Sequence, residues 1–161
     1  MPHSTLCLLP PAAVIEIVRV DPVADRPLAE LILAVQKSSY AVEARLIGDE
    51  RIPLLHESVD DLRAAQVHWL VAREGAEILG AAAWSEAEID RLVVAPRAHR
   101  RGIGRALVDA MLESIVAQRV HVATGRDNPP ARRLYESLGF VHTEDSQVLP
   151  GLWLARYELV R

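Results

Sequence analysis

Residues 96 to 112 read PRAHRRGIGRALVDAML and follow the run EIDRLVV, Glu88 to Val94. The β-branched run has the composition of a strand, and Pro96 closes it. Beyond it Ile103, Leu107, Val108, Met111, Leu112, Ile115 and Val116 recur on one broad apolar face, which predicts a helix from Gly102. A strand must therefore feed a helix through a turn that carries Arg97, Arg100, Arg101 and Arg105. Gly102 and Gly104 lack Cβ atoms, so the backbone there can turn sharply, approach a ligand closely and point its N–H groups outward. First-turn N–H groups of a helix have no partner inside it. An anion satisfies them: the helix dipole contributes about 0.3 to 1 kcal/mol, and arginines add charge-assisted bonds. The turn reads as a phosphate cradle; an exposed basic turn that binds nothing is the alternative.

Known phosphate loops narrow the ligand. A Walker A loop needs Gly-Lys-Ser/Thr, whereas this chain has Gly104-Arg105-Ala106 and its one lysine is Lys37. A Rossmann fingerprint needs a third glycine where Leu107 stands, and a tight turn where eight residues separate Val94 from Ile103. A nucleic-acid surface calls for broad positive charge and stacking aromatics. This chain is net acidic at −4 and has one phenylalanine, so no nucleic-acid partner is expected.

The remaining segments define the architecture. Val14 to Val20 predicts a first strand, and Leu28, Leu31, Ile32 and Val35 predict a helix from Pro27 to Ser38. Residues 39 to 58 carry mixed signals and Pro53, and read as a mobile connection with one short helical piece. Ser58 with Asp61 three residues on marks the cap of a short helix through Ala65. Val67 to Arg73, Glu77 to Trp84 and Glu88 to Val94 follow at the spacing of an antiparallel meander. After the long helix come a strand at Val120 to Ala123, a helix from Pro129 to Leu138 stopped by Gly139, and strands at Phe140 to Thr143 and Leu152 to Leu159. This order argues for an α/β or α+β sheet with helices on its faces.

At 161 residues one domain is expected, 14–161, preceded by a flexible lead-in at 1–13 interrupted by Pro10-Pro11. A lone cysteine, Cys7, excludes an internal disulfide and a cysteine-built zinc site, and fits a reducing, cytoplasmic setting. His56, His68, His121 and His142 show no metal-ligand spacing, so no metal is expected. No apolar run approaches the roughly 18 residues of a membrane helix. Charge is uneven: residues 1–90 hold 15 acids and 7 bases, while residues 91–161 hold 7 acids and 11 bases. A polyanion suits the second half, and a cation the first.

From Glu88 to Phe140 the strand IDRLVV, Pro96, the loop RRGIG, the long helix, the next strand, Asn128 and the run ARRLYESLGF stand in one order and spacing. In this the chain resembles the GNAT N-acetyltransferase family, and in element order the match extends from Val14 to Arg161. The resemblance implies the acyl-CoA N-acyltransferase fold: a mixed, mostly antiparallel central sheet splayed between its fourth and fifth strands and flanked by helices. It implies acetyl-CoA as co-substrate, with Arg100, Arg101, Gly102, Gly104 and Arg105 at the pyrophosphate, chiefly through backbone N–H groups. Leu92, Val93 and Val94 would offer strand backbone to the pantetheine arm, as a sheet edge accepts an added strand. His99 stands where the family usually begins its loop with Gln or Arg, which predicts weaker side-chain help.

The implied activity is direct acetyl transfer to an amine of a small molecule or peptide, and a homodimer is compatible with it. Tyr135 would protonate the departing coenzyme sulfur, and Asn128 would bond the pantetheine, cap the helix or both. Val94 N–H would serve the oxyanion. Glu88, six residues before Val94, would be the general base, with Asp90 on the same face as the second candidate. Trp84 and Trp153 read as core packing or as lining of the acceptor pocket. Glu43, Asp49, Glu50 and Glu57 could wall an amine or polyamine site. A non-catalytic acyl-CoA-binding module is the alternative from another class.

Overall fold

The computed structural model describes residues 14–161, and the lead-in expected at 1–13 lies outside the described residues. Seven strands form one sheet in the order β1-β2-β3-β4-β5-β7-β6. They are β1 (Ile15–Val20), β2 (His68–Glu74), β3 (Glu77–Ser85), β4 (Glu88–Val94), β5 (Arg119–Gly125), β6 (Val141–Leu149) and β7 (Leu152–Val160). The helices are α1 (Arg26–Ile47), α2 (Val59–Ala64), α3 (Ile103–Ser114) and α4 (Pro129–Ser137). Every pairing is antiparallel except β4 with β5, where Glu88 opposite His121 is the one paired position. Mixed, mostly antiparallel and splayed at β4/β5, the sheet has the expected class.

Small residues let the helices close onto the sheet. Ala81, Ala82 and Ala83 of β3 are fully buried. A Cβ on Gly80 would come within 3.0 Å of the Val93 carbonyl and 3.1 Å of the Ile103 and Leu107 side chains, so α3 sits against β3 only because that atom is missing. Leu107, Val108 and Met111 fill the space beneath α3, while Ala29, Ile32 and Val35 bury the face of α1.

Helix α1 differs most from expectation. It starts as its sequence suggests: the Asp25 side chain accepts from Leu28 N–H, and Pro27 sits in the first turn. It does not stop near Ser38. Ser38 Oγ donates to the Val35 carbonyl one turn back, so the two serines ride inside the helix instead of ending it. The run AVEARLI behind them is rich in helix formers, and Gly48, at φ 68°, closes the helix with its N–H on the Ala44 carbonyl. The connection expected from residue 39 therefore begins only at Gly48, and its short helical piece is a 3-10 turn at Pro53–His56. The capping box of Ser58 and Asp61 forms on α2 as anticipated.

Strand β6 also outruns its expected length. Nearly all of it is exposed, because it is the sheet's outer edge and has no face to bury. A strand held by pairing alone carries no alternating pattern, which is why VHTEDSQVL looked like loop beyond Thr143.

One buried polar knot ties the α1 side of the sheet to β4. The Arg91 guanidinium, 3% exposed, donates to Glu57 Oε1 at 2.7 Å, to Gln36 Oε1 at 3.0 Å and to Asp90 Oδ2 at 2.7 Å. It also lies 5.1 Å from the centre of the Trp69 ring. Gln36 donates in turn to the Leu54 carbonyl and to Glu57, fastening the segment after α1. Removing one partner strands a buried charge, so Arg91→Met is expected to cost about 3 kcal/mol in urea unfolding. Adding Glu57→Gln should return part of that loss.

Candidate functional site

The turn after β4 exposes its amides as its sequence suggests. Ala98 and His99 close a 3-10 turn on Pro96, Arg100 and Gly102 both take left-handed conformations at φ 64° and 75°, and α3 begins at Ile103. No side chain caps α3. The first bond back along the helix runs from Ala106 N–H to the Gly102 carbonyl, so the amides of Ile103, Gly104 and Arg105 have no helical acceptor. Gly104 opens this turn toward an apolar wall. A Cβ there would lie 3.3 Å from Leu134, 3.8 Å from Val94 and 3.9 Å from Leu92.

The arginines are less free than their spacing implied. Arg101 is paired with Glu74 at 2.6 Å, Arg97 with Glu77 at 3.6 Å, and Arg105 donates to Ser137 Oγ at 2.8 Å. Arg100 is exposed. The backbone of the turn is thus open, while two of the three arginines proposed for binding are engaged with protein groups.

Past Glu88 the facing edges of β4 and β5 part. Ala95 N–H bonds the Leu79 carbonyl on β3, so by alternation Leu92 and Val94 turn their N–H and C=O groups to the open edge. Val93 does not. Its backbone faces β3 and its side chain is fully buried. On the opposite wall β5 is fully paired with β7 and leaves its inner edge bare as far as Gly125.

One stripe of α1 crosses this cleft. Val94 N–H on β4 donates to Ser39 Oγ at 3.4 Å, and Gly125 N–H on β5 donates to Glu43 Oε1 at 3.3 Å. A Cβ on Gly125 would lie 2.9 Å from that oxygen and 3.3 Å from Ile47, so a larger residue would displace the carboxylate. Burial pushes the Glu43 carboxyl above its ordinary range, with Asn128 and the Gly125 amide pulling it partly back. The sequence offers Glu43 only as part of an acidic wall; the length of α1 sets it four residues from Ser39 on one helix face.

Tyr135 is buried on α4, the helix that starts at that Asn128. Asn128 caps α4 by accepting from Ala131 N–H at 3.3 Å, Pro129 and Pro130 fill its first turn, and Gly139 at φ 94° ends it. The Tyr135 ring is edge-on to Phe140 at 5.5 Å and tilted on Tyr157 at 6.4 Å. Arg132 Nε donates to Tyr157 Oη, and that hydroxyl donates to Glu136, so the ring behind Tyr135 is itself fixed. Burial first, and the nearby Glu43 charge second, raise the Tyr135 phenol well above its ordinary value. Tyr40, half-buried on α1, is raised by burial and then by Glu43, against the pull of Arg91.

The structure separates Glu88 from this group. It is exposed at the joined end of β4 and β5, opposite His121, and six residues of strand carry it about 20 Å from Val94. Asp90 sits where the β3–β4 register slips, its carboxylate taken by Arg91. Of the expected acidic wall, Glu57 is bound to Arg91 and Asp49 to Arg51, which holds the Asp49 carboxyl down to about 2. Arg51 also donates to the Pro150 carbonyl, linking the segment after α1 to the β6–β7 turn. Trp84 is buried, as core packing requires, whereas Trp153 is half-buried under the Arg126 guanidinium, 4.7 Å from its centre.

Known proteins share this architecture. An N-acetyltransferase from Staphylococcus aureus Mu50 superposes with a TM-score of 0.71 at 17% identity, covering 92% of this chain and 99% of the other. The ribosomal-protein-S18-alanine N-acetyltransferase of Escherichia coli gives 0.71 at 15% identity, covering 91% and 94%. In sequence the chain is 34% identical over 137 residues to the UPF0157 protein YqkA of Bacillus subtilis (strain 168), 82% of this chain but 40% of that protein's length. Among the described residues no helix is long and apolar enough to cross a membrane. A family model described as acetyltransferase (GNAT) domain matches residues 54–161, the part that holds the splayed strands, the open turn and Tyr135, and the chain belongs to that family.

Proposed function

We infer that the protein transfers the acetyl group of acetyl-CoA directly to an amine of a small molecule or a peptide. The observation that carries this reading is the bare edge of β4, which leads from the single bridge at Glu88 to the unpartnered first-turn amides of α3. An extended, amide-bearing arm that ends in a diphosphate matches both halves: strand-like bonds along Leu92 and Val94, then anion bonds at Gly102, Gly104 and Arg105. Arg100 and Arg101 flank that end, and Arg101 would have to exchange Glu74 for the ligand. The apolar wall of Leu92, Val94 and Leu134 suits the arm's methylene groups.

The chemistry asks for an acid and a base. A primary amine with a pKa near 10.4 is neutral about once in 2,500 molecules at pH 7, which costs roughly 4 to 5 kcal/mol. When the neutral amine has attacked, the C–S bond breaks and sulfur takes a proton from Tyr135. A phenol held high by burial keeps that proton until the thiolate develops. Val94 N–H, engaged with Ser39 Oγ, would turn to the acetyl oxygen as charge builds there. Glu88, the base suggested by strand spacing, would act from its distant end of β4 only through intervening water.

Calorimetry tests the reading: acetyl-CoA binds and inorganic phosphate at the same concentration does not compete fully. Gly102→Val, which forces a branched side chain into a left-handed position, should weaken that binding at least tenfold. Thiol release from acetyl-CoA is then followed across primary amines, amino acids and peptide N-termini. Tyr135→Phe is expected to slow release by about 10² to 10⁴ with binding unchanged. Tight binding with no release in any wild-type reaction identifies a non-catalytic acyl-CoA module instead.

A further inference from the structure

Glu43 is a half-buried carboxylate with no cation. Three other acids near α1 and β4 are paired with arginines, Glu57 and Asp90 with Arg91 and Asp49 with Arg51, whereas the unpaired Glu50 and Asp127 are exposed to water. Glu43 has only the Gly125 N–H and the Asn128 side chain. Those two groups are too few to replace the water a carboxylate loses on burial. Three further facts place it at the reacting end of the cleft. It shares one face of α1 with Ser39, which touches the open edge of β4, and it reaches the bare edge of β5 itself. Its partner Asn128 caps α4, the helix that carries Tyr135, and the charge of Glu43 adds to the burial that raises that phenol. Gly125 lets it sit close to the β5 backbone, where a Cβ would crowd its oxygen at 2.9 Å.

We propose that Glu43 is the catalytic residue that takes the proton of the acceptor's ammonium group, an inference that rests on the acetyl-transfer reading above. The step balances. The ammonium gives one proton to Glu43 Oε, and the freed nitrogen pair forms the N–C bond. The C–S bond breaks with its electrons on sulfur, and sulfur takes the Tyr135 proton. The surplus proton on the new amide nitrogen returns to the Tyr135 phenolate, and Glu43 releases its own to water.

This placement couples the two groups. Burial is the main reason the Tyr135 phenol keeps its proton, and a charged Glu43 adds to it; once Glu43 has accepted a proton, only that added part is gone. Proton uptake by Glu43 from the ammonium therefore makes Tyr135 a somewhat better acid as the thiolate forms. The other groups facing Glu43 do not substitute for it. Tyr40 of α1 is held protonated, and beyond it Asp90 and Arg91 of β4 neutralise each other. An unpaired carboxylate also selects its substrate, favouring acceptors that arrive as cations.

The stability consequence has a definite sign. The folded-state pKa of Glu43 is raised above 4.5, so its charged form costs stability as pH rises through the folded value and costs nothing below 4.5. Glu43→Gln, which can still accept from Gly125 N–H, should raise Tm at pH 8 and leave it unchanged at pH 4. A lower Tm at pH 8 contradicts the burial argument.

The decisive experiment has one arm that needs no acceptor. With carboxyl carbon-13 glutamate, the resonance missing from Glu43→Gln is expected to titrate well above the midpoints of glutamates in model peptides. A midpoint among theirs overturns the proposal. In the second arm, thiol release from acetyl-CoA is measured with ethylamine, a cation at pH 7, and hydroxylamine, largely neutral there. Glu43→Gln should lose at least about 100-fold with ethylamine and much less with hydroxylamine. Gly125→Ala, which keeps the carboxylate but displaces it, should fall between, and the exposed Glu30→Gln should match wild type. Equal losses with both amines, or a larger loss in Glu88→Gln, overturns the proposal. Failure of acetyl-CoA to bind wild type in calorimetry sinks the acetyl-transfer reading instead, so the two failures are distinct.

Discussion

Everything at the site follows from how little joins β4 to β5. Two parallel strands side by side would satisfy each other's amides along their whole length, but here pairing ends after Glu88 and His121. Each strand is held on its other side, β4 by β3 and β5 by β7, so the gap does not cost the sheet its integrity. Strand edges buried without partners are expensive. The cleft is therefore a place where backbone donors and acceptors are kept in register and left for something else to satisfy.

Helix α1 answers part of that demand from within the chain. Its extra turns lay Ser39 on Val94 and Glu43 on Gly125, one bond to each parted strand. Both are long bonds, and both are made by side-chain atoms that can move. A ligand can replace them without breaking the fold. The same helix is pinned further back by Gln36, whose bonds to Leu54, Glu57 and Arg91 join α1 to β4 and to the segment that precedes α2. The rigid knot and the loose stripe lie a turn apart on one helix, so the cleft is spanned by an element that cannot drift.

Charge is distributed with the same economy. Glu57 and Asp90 beside the cleft are matched to Arg91 while the half-buried Glu43 is not, and the basic turn beyond β4 is partly matched to Glu74 and Glu77. What remains unmatched is an anion-seeking backbone at one end of the cleft and a cation-seeking carboxylate at the other. The excess acid of residues 1–90 and the excess base of residues 91–161 already sketched that polarity in the sequence.

Local chemistry fixed the parts that a few neighbours decide. Glycines, Pro96 and apolar spacing dictated the strand, turn and helix of residues 88 to 114, although Val116, expected on the apolar face, lies beyond α3 and is exposed; Asn128, two prolines and Gly139 bounded α4, because caps and breakers act within one turn. The match of ARRLYESLGF to a known family singled out Tyr135, and the fold class was legible from element order. Tertiary structure decided the rest. Whether Ser38 and Ser39 end a helix depends on what lies beside them, and whether Val93 or its neighbours face the ligand depends on which edge β3 claims. Glu88 and Glu43 are equally plausible acids in a list of residues; only the folding of α1 across two parted strands sets one of them on Gly125 at the entry to the Tyr135 helix and leaves the other at the far end of β4. Distances between elements are set by packing, and no spacing along the chain encodes them.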